Sequence, residues 1–367
     1  MINNHSLLFV SRVFLFFCCV SFFQLTFYFD QDYYIRVGGA YLNVPDHRFY
    51  TGVVKWSCLV PGFTSLNNHV VTYIYSVFFS LGVSDLVLAS IFLNVVVIGL
   101  AYSRIELLCF NANGRFIPLL YWLGLFCVFQ FSILINKDSF AVLFYVTLVS
   151  FLILRKKTDF FLLLLLSPIR MQFAMVMFFA FFLAFWLPAQ KIKIHIFARV
   201  FFLYCLCSMV ALYFELNATL LAHKFYAKGG VAYLISSLNS QYYAGSFLLN
   251  VIKPVQYVYD LFRSAAYDGS VLGLVVYFSR LYLVFIIGLM GVSFFRGIYL
   301  PWTYIKAKEK YSAAIVISSF FLVYSISPIV DFRYLINIAP ALIVFFALDS
   351  RPRRRLCMSY SRDSKGD

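Results

Sequence analysis

Residues 159–187 read DFFLLLLLSPIRMQFAMVMFFAFFLAFWL, and Asp159 and Arg170 are the only charges in the stretch. One interruption divides it, Ser167-Pro168-Ile169-Arg170. Proline inside a helix lacks the N–H donor, and its ring crowds the carbonyl four residues back, so a helix ends or kinks there. The spacing therefore predicts two short apolar helices meeting at the break, a hairpin with a cation at its tip. The charge of Arg170, once there, cannot leave the tip side without unwinding the hairpin.

The rest of the 367-residue chain is of the same character: 63% of residues are hydrophobic and 12% charged, with a mean hydropathy of +0.86. Soluble domains carry about 25% charged residues, because their surfaces face water. Polar side chains are too few here to enclose the apolar ones, which predicts an all-α, polytopic transmembrane bundle crossing the bilayer about eight to ten times. Apolar runs of near-spanning length occupy 7–29, 86–102, 116–135, 139–154, 194–216, 270–295, 311–328 and 333–348. The first is too long for a signal-peptide core and lacks a small-residue cleavage site, so it is expected to be a retained span. The run 70–81 is short and closes on Gly82-Val83-Ser84-Asp85, which suits a re-entrant or interfacial helix.

Orientation follows from the basic residues. With the N-terminus and Arg12 inside, the clusters at 103–115, 155–158, 189–199 and 296–310 and the 351–367 tail all fall on the inner side, 19 of the 30 Lys and Arg. This works only if 159–187 is a hairpin, the form that its proline break predicts independently. The chain is then one membrane domain, 1–350, followed by a basic cytoplasmic tail, 351–367. It has two long outer loops, 30–69 and 217–268, and short outer segments at 136–138, 167–170 and 329–333. The net charge of +15 is explained by this asymmetry and needs no nucleic acid. The eight cysteines lie mostly in apolar runs without metal-ligand spacing and read as small buried hydrophobes.

Ionisable residues gather on the outer side: Asp30-Gln31-Asp32-Tyr33-Tyr34, Asp46-His47-Arg48, Asn136-Lys137-Asp138, Arg170, and Asp331-Phe332-Arg333-Tyr334. Each has a structural reading. Asp138 can cap the helix that follows. Arg333 and Tyr334 can form an interfacial anchor pair. Asp30 and Asp32 can belong to a solvated loop. Anchoring, however, does not require carboxylates on this face. Lys and Arg bind phosphate, Arg through a planar fork, and a carboxylate can accept a proton from an attacking hydroxyl or hold a divalent metal. A polyprenyl-linked phosphate or pyrophosphate sugar presents such a head at the membrane surface with its tail in lipid. Lys137, Arg170 or Arg333 can stabilise the negative charge left on the departing lipid phosphate. The reaction class expected is glycosyl transfer.

The order of motifs is an N-terminal span, the Asp30-x-Asp32-Tyr33-Tyr34 loop, Pro61-Gly62-Phe63 with a short helix, and a span holding Asn94. Lys137-Asp138, Pro168-Ile169-Arg170 and Arg333-Tyr334 follow, before a last span with Pro340. This order resembles the GT-C superfamily of membrane glycosyltransferases, and also the Wzy-type O-antigen polymerases of bacterial surface-polysaccharide assembly. The first resemblance implies Asp30 or Asp32 as general base. The second implies that Lys137, Asp138, Arg170, Arg333 and Tyr334 hold a lipid pyrophosphate. Length favours the polymerase, and the Asp-x-Asp loop favours the GT-C type. Either implies a bacterial inner-membrane enzyme in lipopolysaccharide or polysaccharide assembly, with both termini cytoplasmic. It would work on a polyprenyl-linked glycan, beside other assembly proteins. No cofactor beyond an optional divalent metal is implied. The rival class is a flippase or other transporter, which usually shows matching broken helices in two halves; here 159–187 is the one clearly broken stretch.

Overall fold

A computed structural model describes residues 66–83, 86–109, 137–186, 308–326 and 333–349, with helical pieces within 121–128, 202–206 and 277–288. Among the described residues every regular element is helical. The helices are α1 (Leu66–Ser80), α2 (Leu86–Cys109), α3 (Asp138–Leu154), α4 (Lys157–Leu166), α5 (Met171–Phe181), α6 (Lys308–Ile326) and α7 (Arg333–Asp349). One of these, over Ala89–Leu108, is long and apolar enough by itself to cross a membrane, while the apolar parts of α1, α3, α5, α6 and α7 are shorter.

Helix α3 is the axis of the fold. Fourteen of its seventeen residues are buried, so it has no outward face, the behaviour expected of a helix that is hydrophobic all round. Helices α2, α4, α6 and α7 pack directly against it. Its aromatic side chains knit this packing: Phe144 stacks on Phe173 of α5 with centroids 4.6 Å apart, and Tyr145 meets Phe320 of α6 edge-on at 5.4 Å.

The hairpin forms where the sequence places it. Helix α4 passes into a 3₁₀ turn over Ser167–Ile169, Arg170 is extended, and α5 begins at Met171. The two arms run antiparallel: Phe160 near the start of α4 stacks on Phe181 at the end of α5, 6.3 Å away, and both contact Phe151 near the end of α3. The second arm then widens into a π-turn over Phe182–Trp186.

Helix α1 spans the 70–81 run but starts four residues before it, at Leu66, inside the segment expected to be outer loop. It closes with a glycine C-cap, Gly82 at φ 88°. The Gly82 N–H reaches the Phe79 carbonyl and the Val83 N–H the Phe78 carbonyl, both at 3.1 Å. That paired pattern needs a left-handed residue after the helix, which glycine supplies without strain. The tip of the hairpin packs on α1. Helix α2 runs on to Cys109, so Arg104, expected in an inner loop, lies within the helix. Its guanidinium is held by Asp159 at 3.3 Å, which lets the helix continue past a charge. Helix α7 continues through Pro340.

The runs 116–135, 194–216 and 270–295 are described only in the short pieces above. Residues 7–29, the 217–268 segment and the 351–367 tail lie outside the described residues. Cys127 is buried and Cys205 half-buried, both as free thiols.

Candidate functional site

Asp138 is the first residue of α3, and Lys137 precedes it as the N-cap without a side-chain cap bond. The Asp138 carboxylate looks across the bundle. Its Oδ1 accepts from Arg170 Nη2 at 2.8 Å and from Asn337 Nδ2 of α7 at 3.0 Å. Three segments far apart in sequence thus meet on one carboxylate oxygen. Asp138 is 1% exposed, Lys137 7% and Arg170 8%.

Aromatic rings wall the Arg170 guanidinium. Its Cζ stands 5.4 Å from the centre of the Tyr334 ring and 5.9 Å from that of Phe173. Tyr334 packs on Tyr324 at 4.8 Å, whose hydroxyl lies 3.3 Å from that of Tyr145. A guanidinium over ring faces gains cation–π attraction, which strengthens as water is excluded. Arg170 Nη1 makes no hydrogen bond, nor does Asn337 Oδ1, and both atoms are buried. The amide orientation follows from chemistry: an ionised carboxylate only accepts, so the NH₂ of Asn337 faces Asp138 and its oxygen faces away.

Beside this cluster, Ser139 donates to Asn94 Oδ1 of α2 at 2.6 Å. Asn94, Lys137, Asp138, Ser139, Arg170, Tyr334 and Asn337 therefore form one polar end of the bundle. Of the residues singled out in the sequence, Lys137, Asp138, Arg170 and Tyr334 come together here. Arg333 begins α7, next in sequence to Tyr334; its side chain lies outside the described residues, as do Asp30 and Asp32 entirely. Tyr334 turns inward against Arg170 and Tyr324.

Asn337 was not visible as a site residue from the charges alone. The available signal was an amide within the apolar run RYLINIAPALIVFF, one turn after Arg333-Tyr334.

A second ionic cluster closes the other end of α3. Asp159 Oδ1 accepts from Arg104 Nε and Nη2 at 3.4 and 3.3 Å, and Oδ2 accepts from Ser150 at 2.6 Å. Asp138 and Ser150 stand twelve residues apart on α3, so the clusters are about 18 Å apart. Among the described residues no three His, Cys, Asp or Glu side chains gather as a metal ion would require. No family model, curated protein or solved structure significantly matches the chain.

Proposed function

We propose that this chain is a polytopic protein of the bacterial inner membrane, with eight to ten spans and both termini cytoplasmic. In this reading it catalyses glycosyl transfer from a polyprenyl-(pyro)phosphate-linked sugar or oligosaccharide at the outer face. The most specific form of the reading is a repeat-unit polymerase of surface-polysaccharide assembly.

The observation that carries it is the meeting of Lys137, Asp138, Arg170 and Tyr334 from three separated segments at one end of the bundle. Two cations, Arg170 paired with the Asp138 carboxylate and Lys137 next to it in sequence, suit an anionic ligand, and the planar fork of arginine suits phosphate oxygens. Asp138 fixes one arm of that fork and leaves Nη1 uncommitted. On departure of the lipid phosphate, Arg170 and Lys137 stabilise the charge that develops, and Asp30 or Asp32 accepts the proton of the attacking hydroxyl.

The membrane reading is supported by the inverted distribution of polarity. Phe92, Val96 and Leu100 line an exposed apolar row on α2, and Met171 and Phe178 are exposed on α5, while Asp138, Asp159 and Arg170 are buried. Charges at membrane depth face the bundle interior and pair with one another. Lys137-Asp138, Arg170 and Tyr334 lie at one end of the bundle and Arg104 and Asp159 at the other, which supports the arrangement that the basic residues predict.

The test is a reconstituted assay with a polyprenyl-pyrophosphate-linked oligosaccharide, following glycan extension and release of polyprenyl pyrophosphate. Extension should require Arg170 and disappear in Arg170→Gln at equal protein level. Movement of the lipid-linked glycan between leaflets without extension overturns the reading in favour of a flippase.

A further inference from the structure

The turn between α3 and α4 carries Arg155, Lys156 and Lys157, three consecutive exposed cations. Arg155 adopts a left-handed backbone, φ 57° and ψ 29°, closing α3 through its N–H to the Phe151 carbonyl. A non-glycine residue in that region is uncommon, and here the conformation brings the guanidinium over the Phe185 ring at 4.4 Å, with Phe151 at 5.8 Å. The charge is thereby held in place instead of sweeping through solvent.

Below these cations, α4 presents an unusual face. Phe161, Leu164 and Leu165 follow Lys157 by four, seven and eight residues, so the four share one side of the helix. Phe161 is 63% and Leu165 71% exposed. From Lys157 to Leu165 this apolar row is about 12 Å long. Positive charge at one end of a bare apolar row is the complement of a lipid with an anionic head and a hydrocarbon tail.

Length makes the same point. The arm from Arg155 to the tip at Pro168 covers about 20 Å, against a hydrocarbon thickness of about 30 Å. In a membrane, a short element with cations at its base draws headgroups inward, thinning the bilayer locally. A phosphate brought down to Arg155–Lys157 resolves the mismatch.

We infer that the α3–α4 turn and the outer face of α4 form a binding site for an anionic phospholipid, its phosphate on Arg155, Lys156 and Lys157 and one acyl chain along Phe161, Leu164 and Leu165. The inference rests on the membrane reading and is independent of glycosyl transfer. The Arg104–Asp159 pair lies just behind this turn and is already internally matched, so it does not compete for the headgroup.

The experiment uses the full chain purified in neutral detergent. Phosphatidylglycerol and phosphatidylcholine of identical chains are titrated in, and bound lipid is counted by native mass spectrometry alongside the thermal midpoint. Phosphatidylglycerol should be retained and raise the midpoint, and salt should weaken its retention. The Arg155→Gln/Lys156→Gln/Lys157→Gln variant should lose the preference, at roughly fivefold in affinity per charge removed. Phe161→Ser/Leu165→Ser should weaken both lipids and keep the preference. Glycerol phosphate without tails should bind far more weakly. Equal retention of both lipids by the native chain, an unchanged preference in the triple-Gln variant, or equal binding of tail-free glycerol phosphate overturns the proposal. Circular dichroism on each variant separates loss of the site from loss of the fold. Failure of the membrane reading shows separately, as a chain that stays monodisperse in water without detergent.

Discussion

Arg170 Nη2 and Asp138 Oδ1 are 2.8 Å apart across 32 residues of sequence, and the bond ties the hairpin tip to the first residue of the central helix. Both partners are buried. Removing one partner of such a pair strands the other charge at a cost of about 3–5 kcal/mol, whereas removing both is often nearly neutral.

That asymmetry separates a latch from a phosphate site. Arg170→Gln and Asp138→Asn should each lower the thermal midpoint, and the double variant should recover most of the loss. If Arg170 also binds lipid phosphate, the recovered double variant remains without glycan product. Arg170→Lys, which keeps the charge and loses the fork, should retain part of the activity. A double variant with native stability and native product reduces the pair to a structural fastener.

Asp30→Asn and Asp32→Asn address the base. At constant amounts of membrane-inserted protein, the residue that accepts the proton should lose activity by about a hundredfold or more. Native activity in both single variants and in the double variant removes this loop from the mechanism.

Sidedness is checked by reporter fusions. A fusion at Lys228 should report the outer side and one at Arg353 the inner side. Agreement between the two would mean that the number of crossings between them is even, contrary to the three spans expected at 270–295, 311–328 and 333–348.

Gly124 tests the packing between the central pieces. A Cβ there would stand 2.8 Å from both the Ile343 Cδ1 and the Tyr282 hydroxyl, and 3.1 Å from the Tyr102 hydroxyl. Gly124→Ala should destabilise by about 1–3 kcal/mol as these ends are displaced, and Gly124→Val by more, both seen as a lower thermal midpoint.

Local features were legible in the sequence. Pro168 marked the hairpin and Gly82 marked the end of α1, because both residues act on the backbone wherever they stand. The common side of Lys137-Asp138, Arg170 and Tyr334 followed from charge bookkeeping over whole segments. The partner of each charge did not. Asp138 has a helix-start position that suits a cap, and only the arrival of α5 and α7 turns its carboxylate to Arg170 and Asn337. Arg104 read as an inner-loop cation and Asp159 only as a charge in the hairpin stretch, 55 residues apart, since neither carries local information about the other.

The enclosure of α3 also has a consequence in time. Its lifelong neighbours α6 and α7 begin at Lys308 and Arg333, so at about 5–20 residues per second the ribosome needs roughly 8–30 seconds after Leu154 to deliver the first of them. Through that interval the side of α3 bearing Tyr145 waits without Phe320 and Tyr324. Asp138, by contrast, acquires Arg170 almost at once, from the next two helices to emerge. The ionic bond is thus the early fastener that holds the charged start of α3 in place on the nascent chain. Asn337 and Tyr334 arrive last, so the polar end is complete only when translation nears the end of this sequence.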